Sequence, residues 1–303
     1  MSFQPAFWPH QPQHLLCLRK EWRSLTNAEQ SSYIEAELCL LALPTQAMQV
    51  FPNTTTRYDD LTAAHQNLTD IIHNVAQFHP WHRYFLLAHE ILLQNECNYT
   101  GPMPWWDERV DAGAFINSSL LTPEAFGGNG QGDDNCLQDG PFANMTLTIG
   151  PGTADTNTVH CLSRAISDSG MFSSAETSAA NVAACNALTT YYEMWECIFP
   201  TGPHGSGHFG IGGTMADMYA SPVDPLFYLH HSCIDRHWWE WQNEDPATRT
   251  YQMGGYTTQT EPATGWVNTT LDYVLTTWGI IPDVTINDVM DTEGGYLCYT
   301  YDY

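Results

Sequence analysis

The chain has 303 residues, which is long enough for one large domain with a sizeable buried core. Hydrophobic residues make up 43% and charged residues only 14%, a composition that excludes an intrinsically disordered chain. Nine Lys and Arg against 34 Asp and Glu give a formal charge of −25, which disfavours nucleic acid and anionic membranes as partners.

Three helices are predicted in the first hundred residues. The first follows Thr26, which forms a capping box with Glu29 three residues later, and it ends at Pro44. The second covers residues 57–73, where apolar side chains recur at helical spacing. The third begins at Pro80, because proline is favoured at the first helical position.

Two further helices are predicted in the second half of the chain. One covers residues 187–199, and the other has Asp224 as its N-cap and Pro225 at its first position. Residues 98–160 are rich in Gly, Pro, Asn and Thr and are predicted to form long surface loops. Residues 250–303 mix short strand-like runs with turns, so the fold is predicted to be mainly helical with a little sheet.

The cysteines and the glycosylation acceptors both favour a secreted protein. Nine cysteines without a CxxC pair favour disulfides over a zinc site, and we expect Cys233, in the middle of a predicted buried helix, to be the unpaired thiol. No apolar run is long enough to predict a transmembrane helix. N-glycans are expected at some of six Asn-X-Ser/Thr acceptors, which are Asn53, Asn67, Asn98, Asn117, Asn144 and Asn268.

The histidines form two groups along the sequence. The first group comprises His65, His73, His79, His82 and His89, and the second comprises His204, His208, His230, His231 and His237. His82 and His89 are seven residues apart, roughly 10 Å along a helix. One ion with bonds of about 2 Å to nitrogen cannot bind both. His79 precedes Pro80 and is expected to lie just outside the helix.

The second group combines a histidine pair with a helix stripe. His204 and His208 are four residues apart, which matches one helix face, although the two glycines between them are poor helix formers. Phe227, His231 and Asp235 share one stripe of the last predicted helix. An aromatic residue lies one turn before His231 and a carboxylate one turn after it. Such neighbours suit a metal ligand whose imidazole is oriented by surrounding side chains.

Two segments carry a resemblance to a known family. YDDLTAAH…IIH…FHPWHRYF and HGSGHFGIGG…DPLFYLHHSCIDRHWWEWQ resemble the CuA and CuB motifs of the tyrosinase and polyphenol oxidase family, especially its shorter fungal members. The YTY at residues 299–301 resembles the Tyr-X-Tyr that ends their catalytic domain. The resemblance spans about residues 17–301. It implies one catalytic domain over residues 1–303, mainly α, in which a central four-helix bundle holds two copper ions among long irregular loops and short strands.

The resemblance also implies a role for individual residues. CuA would be bound by His65, His73 and His82, and CuB by His204, His208 and His231. His79, His89 and His230 fall at positions that do not bind copper, Phe227 at an aromatic packed against ligand imidazoles, and Asp235 at a carboxylate that anchors its helix. Because imidazole must be deprotonated to bind copper, we expect loss of copper and of activity at low pH.

The implied reaction is the oxidation of small phenols to o-quinones, with dioxygen as co-substrate. In the family, a Glu before the first CuB ligand orients a water, and an Asn directly after that ligand assists monophenol deprotonation. Here Glu196 lies eight residues before His204, with Glu193 as a rival, but Gly205 has no side chain to bind a water. We therefore predict catechol oxidation with weak or no monophenol hydroxylation. Full monophenolase activity or o-methoxyphenol oxidation is the alternative.

Two more residues are expected to shape the substrate entrance. Phe209 directly follows His208, and Met218 lies ten residues beyond it, near the position that gates access to CuA in the family. A long, flexible Met would narrow the entrance without sealing it. The alternative is that both side chains pack in the core.

Other functions would use the same histidines differently. A haemocyanin-like carrier would bind dioxygen without turnover, but such carriers shield the site with an additional domain. A zinc hydrolase is disfavoured because no HExxH motif is present. The chain ends at YTYDY, without the extension that often covers the site in relatives, so we expect an active catalytic domain.

Overall fold

The computed structural model describes residues 17–294 and 296–303. Helices dominate these residues. The helices are α1 Asn27–Ala42, α2 Arg57–Ile72, α3 Phe78–Cys97, α4 Glu108–Asp111, α5 Ala179–Asn186, α6 Tyr191–Ile198, α7 Pro203–Ile211, α8 Leu226–Glu244 and α9 Pro246–Arg249. The strands are β1 Cys17–Glu21, β2 Pro104–Trp105, β3 Thr146–Leu147, β4 His160–Cys161, β5 Val274–Leu275, β6 Val284–Thr285 and β7 Tyr299–Tyr301. The predicted mainly helical fold is therefore confirmed.

The start of α3 differs from the sequence prediction. The capping box of Thr26 and Glu29 at α1 is confirmed, but α3 begins at Phe78, and Pro80 is its third residue rather than its first. A proline is tolerated there because the amides of the first helical turn need no partner within the helix. His79 consequently lies inside α3, and the prediction that it lies outside the helix is wrong.

Helix α7 forms despite its glycines, and the glycines allow it to pack closely. A Cβ atom on Gly207 would lie 2.4 Å from the His230 ring of α8, and one on Gly205 would lie 1.7 Å from the Pro200 carbonyl oxygen. Any other residue at either position would force neighbouring atoms to shift. The low helix propensity of glycine is thus outweighed by contacts that only glycine permits.

Helix α8 begins one residue later than predicted. Pro225 is its N-cap and Leu226 its first residue, and the Asp224 carboxylate still accepts a hydrogen bond from the Leu226 amide at 3.0 Å. Assignments of helix ends commonly differ by this much. The predicted capping role of Asp224 is therefore retained.

The central helices and a small sheet position the site. Helix α3 packs against α1, α2 and α8, and α7 packs against α8. Strands β2, β1 and β7 form a parallel sheet in which Cys17 pairs with Tyr299. Two antiparallel pairs, β3–β4 and β5–β6, complete the pairing of named strands in the described residues. Residues 98–160 contain only short elements, as predicted. The prediction that they are surface loops is wrong for much of the segment, because apolar side chains bury it in the core, among them Trp105, Trp106, Phe115, Phe126 and Phe142.

The carboxylate of Asp235 anchors α8 to both ends of the described chain. It accepts hydrogen bonds from Arg83 Nε of α3 and from the Tyr299 and Tyr301 hydroxyls of β7, each at 2.5 Å. Arg19 of β1 lies 3.5 Å away. Burial alone would raise the pKa of Asp235, but Arg83 and Arg19 hold it below its usual value. The predicted anchoring role is confirmed.

Three disulfides link the helices and loops. They join Cys39 to Cys97, Cys136 to Cys161 and Cys185 to Cys197. Cys233 is buried and free, as predicted, and Cys17 and Cys298 are also free among the described residues. Within those residues, no helix is long and apolar enough to cross a membrane.

Candidate metal centre

The first predicted ligand set comes together between α2 and α3. His65 lies on α2, His73 is the C-cap residue of α2, and His82 lies in the second turn of α3. One ring nitrogen from each lies within 4.8 Å of the others, and all three side chains are buried. We call this set the first histidine group.

Backbone carbonyls hold all three of these imidazoles by the same atom. The Nδ1 of His65 lies 2.9 Å from the Tyr219 carbonyl oxygen. The Nδ1 atoms of His73 and His82 lie 3.1 Å and 2.8 Å from carbonyl oxygens four residues earlier in the chain. Because a carbonyl only accepts, each Nδ1 carries the proton and each Nε2 keeps a free lone pair for a metal.

The second predicted ligand set comes together between α7 and α8. Ligating atoms of His204, His208, His230 and His231 lie within 4.8 Å of one another, and all four side chains are buried. His208 Nδ1 lies 2.8 Å from the Met215 carbonyl oxygen. No partner is present for either nitrogen of His204 or for His231 Nδ1. We call His204, His208 and His231 the second histidine group.

His230 is near this group but has a different partner. Its Nδ1 lies 2.5 Å from an oxygen of Glu108, and both side chains are buried. Burial lowers the pKa of His230 to about 3 and raises that of Glu108 well above its usual value, so both groups are neutral and one hydrogen bond joins them. This contact agrees with the non-ligand role that the sequence resemblance implies.

The two groups face each other across one buried aromatic wall. The rings of His82 and His231 are stacked with centroids 4.4 Å apart, and the Nε2 atoms of His208 and His231 are 3.2 Å apart. Phe227 packs 4.1 Å from His231 and 5.3 Å from His65. Phe227 therefore packs against ligands of both groups, as predicted. Asp235 contributes no hydrogen bond to His231, contrary to the outer-contact role inferred from helix spacing, because Arg83 and the C-terminal tyrosines occupy it.

Burial keeps the six imidazoles neutral. It lowers the pKa of every member of both groups, and that of His73 to about 4. A neutral imidazole is the form that binds a metal. Buried Nε2 atoms of His65, His82 and His204 also have no protein partner, which is unfavourable unless an ion binds them. Six neutral imidazoles in two groups of three fit two copper ions.

The two other histidines of α3, His79 and His89, pack against aromatic side chains. His79 stacks on Trp238, with ring centroids 5.4 Å apart. His89 Nε2 lies 2.9 Å from a Glu37 oxygen, and its ring stacks on Tyr228 at 3.6 Å. Neither belongs to a group that could hold a metal within the described residues.

The residues predicted to tune the reaction lie on α6, on α7 and in the segment between α7 and α8. Glu196 is exposed on α6, and partial burial of its carboxylate raises its pKa. Its rival Glu193 instead accepts a hydrogen bond from the Thr190 hydroxyl at the start of α6, so it serves the helix end. Phe209 and Met218 are both exposed, so the alternative that they pack in the core is wrong. Their position at the substrate entrance stays a prediction.

Sequence reasoning missed the buried acids and the backbone acceptors. Glu37 and Glu108 are each buried beside a non-ligand histidine, and only a Glu on an otherwise apolar helix face could have signalled such a pair. The carbonyls of Tyr219 and Met215 carry no signal in the side-chain sequence. They become visible only once the loop between α7 and α8 is placed.

Comparisons with known proteins agree with this geometry. Residues 55–244 match the family model of the common central domain of tyrosinase. Tyrosinase ustQ of Aspergillus flavus is 35% identical over 295 residues, which cover 94% of this chain and 79% of that protein. An N-acetyl-6-hydroxytryptophan oxidase of Emericella nidulans is 31% identical over 337 residues, covering 94% and 92%. A mutant polyphenol oxidase from Thermothelomyces thermophila superposes with a TM-score of 0.84 at 30% identity, covering 94% and 88%.

Proposed function

Because the chain belongs to the tyrosinase family of copper oxidoreductases, we propose that it oxidises o-diphenols to o-quinones with weak or no monophenol hydroxylation. Two copper ions, when bound, supply the binding and reduction of dioxygen. Two catechols each give up two electrons and two protons, and one dioxygen becomes two waters. The polypeptide supplies six neutral imidazoles, their orientation and a pocket for the phenol.

Gly205 is the observation that carries the proposed preference for o-diphenols. It directly follows His204, and a Cβ atom there would lie 1.7 Å from the Pro200 carbonyl oxygen. The position therefore holds no side chain that could orient a water to deprotonate a monophenol. A catechol needs this help less, because it already carries both oxygen atoms of the quinone and has only to lose two electrons and two protons.

Glu196 is the observation that favours the alternative, full monophenolase activity. Its carboxylate lies eight residues before His204, is not used as a helix cap, and has a pKa raised by burial. A carboxylate with a raised pKa is a better proton acceptor. The two readings therefore differ in whether Glu196 can act on a monophenol without a side chain at residue 205.

Oxygen uptake on four substrates tests the proposal. We expect catechol to be oxidised at least tenfold faster than tyramine, with guaiacol measured beside them for o-methoxyphenol oxidation. Because one relative is named for a hydroxylated tryptophan, a hydroxyindole belongs in the same set. Equal rates on tyramine and catechol would establish the alternative and overturn the proposed preference.

We also propose that the protein is secreted and glycosylated. All six acceptor asparagines are exposed, and three disulfides suit an oxidising compartment. Intact mass of the protein from its natural source, before and after glycan removal, tests this. An unchanged mass would contradict glycosylation.

A further inference from the structure

Three exposed aromatic side chains lie together beside the proposed catalytic centre. Tyr256 and Trp266 are stacked with centroids 4.3 Å apart and are 41% and 38% exposed. Tyr192 of α6 is 44% exposed, and its ring would be 3.1 Å from a Cβ atom on Gly255, the neighbour of Tyr256. We call Tyr192, Tyr256 and Trp266 the aromatic platform.

The loop that carries the platform is fixed to a ligand of the first histidine group. Gln259 Nε2 donates to the carbonyl oxygen of His73 at 3.1 Å. The Ala76 amide donates to the Tyr256 carbonyl oxygen at 2.9 Å, and Gln77 Nε2 donates to the Thr257 carbonyl oxygen at 3.1 Å. These bonds hold the platform at a set position relative to His73. A mobile surface loop would not offer a defined binding surface.

A line of aromatic rings connects the platform to the second histidine group. The Tyr192 ring lies 5.9 Å from Trp195, which lies 6.3 Å from Phe199. Phe199 in turn lies 5.1 Å from His204. Trp195 and Phe199 are buried, so the line runs from solvent to the ligands. The platform is therefore joined to a member of the second histidine group through two buried rings that pack against each other.

The charge around the platform restricts what it can bind. Glu196 lies close enough to Tyr192 to raise the pKa of that phenol, and Glu193 is exposed on the same helix. The whole chain carries a formal charge of −25. A ligand with a carboxylate would be repelled here, whereas an uncharged aromatic ring would stack without penalty.

We infer that the aromatic platform binds a second, uncharged aromatic ring of an extended phenolic substrate whose catechol ring occupies the copper centre. The inference rests on the proposed function for the reacting ring, but the platform's affinity for the distal ring can be measured separately. Single exposed aromatics are common on protein surfaces and need no explanation. Here, in contrast, two exposed aromatic rings are stacked on each other, and hydrogen bonds fix their loop to the segment that contains His73.

The expected effect follows from stacking. An aromatic pair contributes about 0.5–1.5 kcal/mol beyond the area it buries, which corresponds to roughly two- to tenfold in affinity. Because the distal ring does not react, its contacts are equally strong before and during the reaction. Loss of the platform should therefore raise KM and leave kcat unchanged.

The test compares catechol with a catechol joined to a phenyl group by a short amide linker. In Trp266→Ala and Tyr256→Ala we expect the KM of the two-ring compound to rise roughly two- to tenfold, while the KM of catechol is unchanged. Trp278→Ala is the matched control, because Trp278 is 44% exposed and stacked on Phe51 outside the platform. Equal KM changes for both compounds, or the same change in the control, would overturn the inference.

Calorimetric titration of the copper-free protein with the two-ring compound gives a readout independent of turnover. We expect weaker binding in the two platform variants than in Trp278→Ala. If neither compound is turned over but the platform variants still bind the two-ring compound more weakly than Trp278→Ala, the proposed function is wrong. The inference that the platform binds an aromatic ring would then be retained. A two-ring compound with a carboxylate on its distal ring should bind more weakly than the uncharged compound. High salt should reduce this difference in affinity, because it screens the repulsion. Equal binding of charged and uncharged compounds would overturn the charge argument.

Discussion

The two histidine groups differ in what holds their imidazoles. Each member of the first group donates from Nδ1 to a backbone carbonyl oxygen. In the second group only His208 does so, whereas the Nδ1 atoms of His204 and His231 have no partner. A fixed Nδ1 sets the tautomer and the direction of Nε2 before a metal arrives. The first group is therefore preorganised by hydrogen bonds, and the second group by packing.

Close packing surrounds the second group. Gly207 allows α7 to approach His230, and Phe227 packs against His231. Such contacts orient rings through volume, so a single added methyl group should disturb them. The first group should tolerate changes in volume better, because its orientation depends on backbone atoms that no substitution removes.

The strongest test of the first group compares the loss of a proposed copper ligand with the loss of a packing histidine on the same helix, α3. His82→Ala should lose CuA and all activity, whereas His89→Ala should keep both copper ions. Removing His89 takes away a polar group close to the buried Glu37 carboxyl, so we expect His89→Ala to be less stable than the unaltered protein. The measurement is copper content per chain by mass spectrometry, together with oxygen uptake on catechol.

A second variant keeps that comparison decisive if His89→Ala fails to fold. His89→Gln retains a polar side chain for Glu37 and should bind two copper ions. Loss of CuA from His89→Gln at normal stability would show that helix spacing and the histidine grouping were misassigned.

The strongest test of the second group adds one methyl group to α7. Gly207→Ala should displace His230 and lower the affinity for CuB by roughly 10–100-fold, while CuA stays bound. Gly128→Ala is the control, because a Cβ atom there meets only ordinary contacts, the nearest at 3.5 Å. Two equally tight copper ions in Gly207→Ala would contradict the role of packing.

The order of copper removal compares the groups directly in the unaltered protein. Because no hydrogen bond fixes the Nδ1 atoms of His204 and His231, we expect CuB to leave first, roughly tenfold faster than CuA. Timed incubation with a chelator, followed by copper analysis, should reveal a state with one copper per chain. Simultaneous loss of both ions would remove the distinction between the groups.

The smallest expected effect is the contribution of His79, a packing histidine, to the pH dependence of stability. Burial, with a contribution from Arg83, lowers the pKa of His79 to about 3, against about 6.5 when unfolded. The unfolded chain therefore binds a proton that the folded chain excludes, and stability falls as the pH drops below 6.5. For His79 alone the loss is about 2 kcal/mol between pH 7 and pH 5.

Urea unfolding of the copper-free protein measures this dependence. His79→Phe keeps an aromatic ring against Trp238 and should show a shallower decrease in stability between pH 7 and pH 5. An identical decrease in both proteins would assign the pH dependence to other groups.

The resemblance of two motifs to a known family predicted which histidines lie together, and helix rise separated His82 from His89. Spacing alone did not assign the ligands, and neither spacing nor the resemblance revealed what holds the imidazoles in place. The helical state of α7 could not be predicted, because its glycines are poor helix formers and their packing contacts are tertiary. The partners of His89 and His230 are buried acids from distant segments, and the carbonyl acceptors have no sequence signature.

Copper reconstitution with catechol turnover tests the central claim most directly. The copper-free protein is titrated with copper, the bound metal is counted, and oxygen uptake on catechol is followed at each stage. We expect two copper ions per chain, activity only when both are bound, and one dioxygen consumed for every two catechols. Two bound copper ions without catechol oxidation would contradict this expectation.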